Sequence, residues 1–249
     1  MGFSGELAGS GSLIKCLVVE ALGTFVFSYV YLNLLTGGGA SNVGSMVFMF
    51  LAVLTVLNWV CFPLSGGHFN PCVTLALLVK SKIEVKKGLF YLLAQLGATF
   101  LAGLILYINL NQDNTYGTQV KNAWWNIVMP RALQVNNNKY LTMIYEFIGT
   151  FVFILVFFAA NVGKGGTNVI SGFVIALGYC FANSMIYTYS RGTLNPYLYI
   201  CPRLLTMDLG DILWYILGPP LGAVAGAFLY EPMIGDSISQ DETPLTELN

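Results

Sequence analysis

Two short stretches decide how this chain folds. They are Ser65-Gly66-Gly67-His68-Phe69-Asn70-Pro71-Cys72-Val73-Thr74-Leu75-Ala76-Leu77-Leu78-Val79 and Arg191-Gly192-Thr193-Leu194-Asn195-Pro196-Tyr197-Leu198-Tyr199-Ile200-Cys201-Pro202-Arg203. Asn70-Pro71 returns as Asn195-Pro196 at an offset of 125 residues. Pro suits the first helical position, where its missing N–H would have no partner anyway. Asn is a favoured N-cap. Each stretch therefore predicts a loop, an Asn cap, a Pro and a short helix. Eight residues of helix rise about 12 Å, under half of a roughly 30 Å hydrocarbon core. Neither piece spans a membrane alone, but two meeting end to end would.

Working outward, six apolar runs flank these stretches, at about 13–36, 43–63, 88–109, 141–162, 168–189 and 211–231. Each is long enough to be a membrane span. The run opened by Leu13 exceeds a secretory h-region and is read as a span. The sequence also repeats. Glu20-Ala21-Leu22-Gly23-Thr24-Phe25-Val26-Phe27 returns as Glu146-Phe147-Ile148-Gly149-Thr150-Phe151-Val152-Phe153 at an offset of 126, and Leu96-Gly97-Ala98 returns as Leu221-Gly222-Ala223 at 125. The chain thus divides into an N-terminal tail (1–12), a first repeat (13–110), a connecting loop (111–140), a second repeat (141–231) and a polar C-terminal tail (232–249). Three spans per half is an odd number, so the second half enters from the opposite side. Such an inverted repeat places a pathway near the midplane. There the two helix N-termini, each with about half a positive charge, oppose cations and protons. The Asn70 and Asn195 amides are donors beside them. The non-helical backbone before each Asn (Gly66, Gly67, His68, Phe69; Arg191, Gly192, Thr193, Leu194) is tolerated at that depth only if it lines a cavity or is buried. Its carbonyls form a ladder of acceptors suited to a file of small polar molecules.

Composition agrees with this reading. Hydrophobic residues make up 56% and charged residues 9% of the 249, where a soluble domain carries about 25% charged residues. A net charge of −1 excludes electrostatic nucleic-acid binding. Cys16, Cys61, Cys72, Cys180 and Cys201 show no metal-ligand spacing and read as small hydrophobes in a reduced or lipid-facing setting. No nucleophile–base pair points to an enzyme and no residue set to a cofactor. Lys80, Lys82, Lys86 and Lys87 place the second-to-third-span loop, and both termini, in the cytoplasm. Lys121, Arg131 and Lys139 in the long loop count against that.

At these motifs the chain resembles the aquaporin, or major intrinsic protein, family, from about residue 13 to 230. Ser65 to Thr74 is similar to the family's first Asn-Pro-Ala signature. Glu20 to Phe25 and Glu146 to Phe151 resemble the openings of its two halves. Ala94-Gln95-Leu96-Gly97-Ala98 and Gly218-Pro219-Pro220-Leu221-Gly222-Ala223 resemble its third and sixth spans. The resemblance implies an all-α membrane fold of six spans and two re-entrant half-helices, a pore in each subunit and a homotetramer. It also implies a selectivity constriction at Phe50, Asn183, Gly192 and Leu198. The chain departs from the family at several positions: Cys72 and Tyr197 stand for the two signature Ala residues, Leu198 for the usual Arg, and Tyr199 for the Asp of glycerol-type members. Cys201-Pro202-Arg203-Leu204 resembles a glycerol-channel sequence. Loss of the Arg predicts a wider, less polar opening, and Arg191 is a candidate to restore its charge at the outer mouth, against the alternative of an exposed loop Arg.

Glu20 and Glu146 lie inside spans, where a charge is costly and functional by default. They read as a proton relay or as acceptors for loop N–H groups. Their symmetric placement and the family favour the second. His68, the one His, reads as a pore-facing ring able to titrate or as a His satisfied by neighbours. Gly97, Gly103, Gly149, Gly222 and Gly226 read as close-packing positions, and Trp124 and Trp125 as interfacial anchors. The function expected is a passive channel for water and small uncharged solutes such as glycerol. The alternatives are a water-only channel, a secondary transporter, and a non-conducting adhesion member in which Tyr197 blocks the pore.

Overall fold

The computed structural model describes residues 11–36, 43–112, 139–162, 170–207 and 212–230, with the isolated positions 209 and 232. Lys121, Trp124, Trp125 and Arg131, and most of both predicted tails and of the connecting loop, lie outside the described residues. Eight helices are described: α1 (Leu13–Thr36), α2 (Val43–Ser65), α3 (Pro71–Val79), α4 (Val85–Gln112), α5 (Lys139–Val162), α6 (Ser171–Ser190), α7 (Tyr197–Thr206) and α8 (Ile212–Tyr230). Six are long and two, α3 and α7, are short. α1, α2, α4, α5 and α8 are long and apolar enough to cross a membrane. α6 is of similar length at 20 residues. α4 starts three residues before the expected 88, at Val85, because Lys86 and Lys87 continue the helix beyond the apolar run.

The two halves interlock. α1 packs on α2 and α4 as α5 packs on α6 and α8. Each half-helix packs against the last helix of the other repeat, α3 on α8 and α7 on α4, while α2 and α6 join the halves. The start of α1 lies on the face of the lysine cluster: Gly11 N–H donates to the Leu64 carbonyl at 3.3 Å, and Gly11 and Leu13 share a surface hollow with Glu84, Lys86 and Lys87. We call this the lysine face. Tyr140 and Trp214, with ring centroids 4.7 Å apart, join the starts of α5 and α8 on the opposite, far face.

Polarity is inverted relative to a water-soluble protein. Phe173, Leu177, Phe181, Met185 and Tyr189 point outward at four-residue intervals along α6. Glu20, Glu146, Gln95, His68, Asn183 and Arg203 are buried. A lipid solvent rewards this arrangement, since polar groups must find their partners inside. All five cysteines are free and buried. Of the two settings expected for them, reduced or lipid-facing, free thiols fit the first, and their burial inside the helix packing sets the second aside.

Close packing by glycine holds for most of the predicted positions. A Cβ on Gly222 would lie 2.3 Å from the Phe147 carbonyl, and one on Gly226 2.9 Å from that of Phe151, so α5 and α8 touch backbone to backbone. A Cβ on Gly149 would meet the Ile186 and Leu194 side chains at 2.5 and 2.7 Å, while one on Gly103 would make only ordinary contacts, with Leu205 at 3.4 Å and Leu32 at 3.8 Å. A Cβ on Gly97 would meet no atom within 4 Å among the described residues of this chain, and its expected packing role is corrected to that extent: its side of α4 is exposed.

Candidate functional site

Both re-entrant loops adopt left-handed backbone at matching positions. Gly66, Gly67 and Phe69 have φ of 88°, 60° and 49°, and Arg191, Gly192 and Leu194 have φ of 73°, 63° and 51°. A non-Gly residue in this region costs about 1–2 kcal/mol, so each loop needs an external brace. The buried glutamates meet it. Glu20 accepts from the His68 N–H at 3.3 Å, from the Phe69 N–H, and from Gln95 Nε2 at 3.0 Å. Glu146 accepts from the Thr193 N–H at 3.0 Å, the Leu194 N–H at 2.9 Å and Thr193 Oγ1 at 3.0 Å. Three residues after each Glu a glycine makes room for the loop: a Cβ on Gly23 would strike the Phe69 ring at 2.1 Å, as one on Gly149 would strike Leu194. Ser65 and Ser190 add a second matched brace, their hydroxyls accepting from Gly67 N–H at 3.1 Å and Gly192 N–H at 3.3 Å.

The Asn residues cap both half-helices. Asn70 Oδ1 accepts from the Cys72 N–H at 2.8 Å and Asn195 Oδ1 from the Tyr197 N–H at 2.9 Å. Asn70 Nδ2 crosses to the Leu194 carbonyl at 2.9 Å and ties one loop to the other. Asn195 Nδ2 is buried and has no hydrogen-bond partner among the described residues. Cys72 is fully buried, whereas Tyr197 is half-buried at the start of α7.

On the lysine-face side of the Asn pair a cavity of about 20 Å³ remains, the room one water molecule needs. Gly67, His68, Phe69 and Asn70 of the first loop line it together with Phe27, Leu54, Asn58, Phe153, Phe157, Ile175 and Tyr179. Tyr197 does not line it. His68 is 3% exposed. Its Nδ1 pairs with Thr74 Oγ1 at 3.0 Å and its ring meets Tyr91 edge-on.

The far half is filled by rings. Tyr179 meets Phe27, Phe50 and Phe153 edge-on, at centroid separations of 5.2, 6.1 and 5.5 Å. Phe50 stacks on Tyr31 at 5.1 Å. The carbonyl ladder here is occupied. Tyr31 hydroxyl donates to the Arg191 carbonyl at 2.9 Å, and Tyr179 hydroxyl to that of Thr193 at 3.0 Å. Asn183 Nδ2 donates to the carbonyls of Gly192 at 2.6 Å and Arg191 at 3.3 Å. Phe50, Asn183 and Leu198 are each at most 1% exposed and Gly192 is buried, so the expected wider opening is absent from this conformation.

Arg191 is not an exposed loop residue. It is 8% exposed, caps α6 in the left-handed region, and sets its guanidinium 5.8 Å from the Tyr187 ring with Nη1 donating to the Tyr187 hydroxyl at 3.4 Å. Tyr199 receives a hydrogen bond from buried Arg203 and stacks on Tyr215 at 3.5 Å. Sequence reasoning missed Tyr31, Tyr179, Gln95, Ser65 and Ser190 as partners of the loops. The serines carried a usable signal, since they too sit at the 125 offset. The tyrosines carried none, being aromatic residues in apolar runs.

Comparison with known proteins agrees with this architecture. Residues 7–230 match the family model "Major intrinsic protein". The chain is similar to Aquaporin-4 of Mus musculus, 30% identical over 229 residues, covering 87% of this chain and 66% of that protein's length. It is similar to Aquaporin-5 of Homo sapiens at 29% identity, covering 89% and 81% of the two chains. Its fold matches that of the aquaglyceroporin from Plasmodium falciparum with a TM-score of 0.76 at 19% identity, over 92% of this chain and all of the other. The doubled loops, the capped half-helices and the match across both repeats identify the chain as an integral membrane protein of the major intrinsic protein family, a family of channels.

Proposed function

We propose that the chain is a passive transmembrane channel for water and small uncharged solutes such as glycerol. The observation that carries this reading is the Asn195 amide, a buried donor without a partner beside two capped helix N-termini. A donor there takes the oxygen of a water or an alcohol, and the helix ends disfavour a cation at the same point. The two repeats, 13–110 and 141–231, supply one half of the pathway each. Phe50, Asn183, Gly192 and Leu198 form its constriction, and Arg191 supplies positive charge near the far mouth. The lysine face is cytoplasmic, and the functional unit is a homotetramer, for which a native mass near four times 27.2 kDa is expected.

A second reading, a member that does not conduct as it stands, is favoured by the filled far half. Light scattering from proteoliposomes under an osmotic step and then a glycerol step separates the cases. Fast shrinkage followed by fast glycerol re-entry supports the broad channel. Fast shrinkage alone makes it water-selective, and rates equal to those of empty vesicles favour the non-conducting reading. Arg191→Ala in the same vesicles tests the charge role, which is wrong if ion exclusion and solute selectivity stay unchanged.

A further inference from the structure

The two ladders differ where a duplicated fold predicts likeness. In the far half three side-chain donors cover the loop carbonyls: the Tyr31 and Tyr179 hydroxyls and the Asn183 amide. Their repeat mates, at offsets of 126, 125 and 125, are Phe157, Leu54 and Asn58. Phe157 and Leu54 carry no donor. Asn58 turns its amide onto its own helix, donating to the Leu54 carbonyl at 2.8 Å. Among the described residues no side chain donates to the carbonyls of Gly66 or Gly67, and that is the half that keeps a water-sized cavity. The backbone brace is shared by both repeats through the Glu and Ser pairs, so loop geometry does not require the tyrosines. What the hydroxyls add is occupation of acceptors.

We infer that Tyr31 and Tyr179 are specificity-determining residues of this pathway, holding the far ladder with their own hydroxyls in place of a permeating molecule. The inference rests on the channel reading. A permeating water needs an acceptor for each hydrogen it turns toward the wall, and here each of these carbonyls already accepts at least one side-chain bond, which leaves it a poorer acceptor for water. Water in the far half competes with these intramolecular donors for the loop carbonyls, which raises the barrier for single molecules. Larger solutes must also part the rings of Tyr31, Phe50 and Tyr179. Leu198 carries no donor, so the side-chain donors on this ladder are the neutral Tyr31, Tyr179 and Asn183 groups.

The test uses the purified full-length chain in proteoliposomes and compares the wild type with Tyr31→Phe, Tyr179→Phe, the double variant and Tyr179→Val. Phe keeps the ring and its packing and deletes only the hydroxyl. The double variant is expected to raise water permeability per protein about five-fold or more over the wild type, the single variants less, with glycerol entry still slow because the rings remain. Tyr179→Val removes ring bulk as well and is expected to raise glycerol entry. If the wild type conducts and the double variant is no faster, the inference is overturned, and the hydroxyls only brace the loop. Should the double variant fail to fold, Tyr179→Phe alone carries the same comparison. If every form, Tyr179→Val included, matches empty vesicles, the channel reading itself fails and the inference with it.

Discussion

At the level of single residues the buried glutamates are decisive. A carboxylate only accepts hydrogen bonds, and the N–H groups of Thr193 and Leu194 and the Thr193 hydroxyl all donate to Glu146. These bonds hold Leu194 at a φ of 51°. Glu146→Gln replaces one acceptor by an amide that faces those donors. Hydrogen bonds to charged groups are worth about 1.5–3 kcal/mol each, so a loss of about 3 kcal/mol is expected. A thermal melt in detergent should fall by roughly 5 °C or more, with solute flux lost alongside; an unchanged melt would remove the bracing role. The glutamates and asparagines could be read in the sequence because the duplication placed them at nearly equal offsets, 126 and 125, and symmetric polar residues inside spans have few uses. Tyr31 and Tyr179 were illegible for the opposite reason. Their repeat mates are Phe157 and Leu54, so no symmetry marked them, and an apolar run gives a tyrosine hydroxyl no visible partner. Their bonds to loop carbonyls 160 and 14 residues away exist only in the folded chain.

At the level of helices, composition and a repeated Asn-Pro were enough to predict six spans and two half-helices, because each element must satisfy its backbone internally in lipid. Which glycine touches which helix was less legible. Gly97 and Gly222 are repeat mates at an offset of 125, yet only Gly222 is pressed against a neighbour, the Phe147 carbonyl and Phe151 N–H of α5. Adding a methyl there pushes on backbone, which has no rotamer to yield. Overpacking costs about 1–3 kcal/mol in cores with some freedom, and Gly222→Ala is expected at or above the top of that range, read as loss of the folded fraction in detergent. Gly97→Ala meets open space and should leave stability unchanged or improve it, since Ala is the better helix former by up to about 1 kcal/mol. A loss at Gly97 equal to that at Gly222 would mean that another subunit covers this side of α4.

Across the whole molecule the inverted distribution of polarity decides what reagents can reach. The cysteines were read from sequence as small hydrophobes in a reduced or lipid-facing setting because each lay in or beside an apolar segment, and the sequence does not show which side of a helix meets lipid. In the fold they occupy α1, α2, α3, α6 and α7, none more than 7% exposed. Cys72 and Cys201 sit on the two half-helices, and Cys72 follows the Asn70-Pro71 cap directly. Interlocking ties these positions together, since each half-helix is clasped by the final helix of the other repeat. Local fraying of one span therefore does not free a thiol on a half-helix; both repeats must part. A small membrane-permeant maleimide is accordingly expected to label the folded protein in vesicles at least tenfold more slowly than the denatured chain, with all five thiols slowed together. Water flux should resist mercurials for the same reason. Rapid labelling of Cys72 alone in the native state would place that thiol on an open pathway.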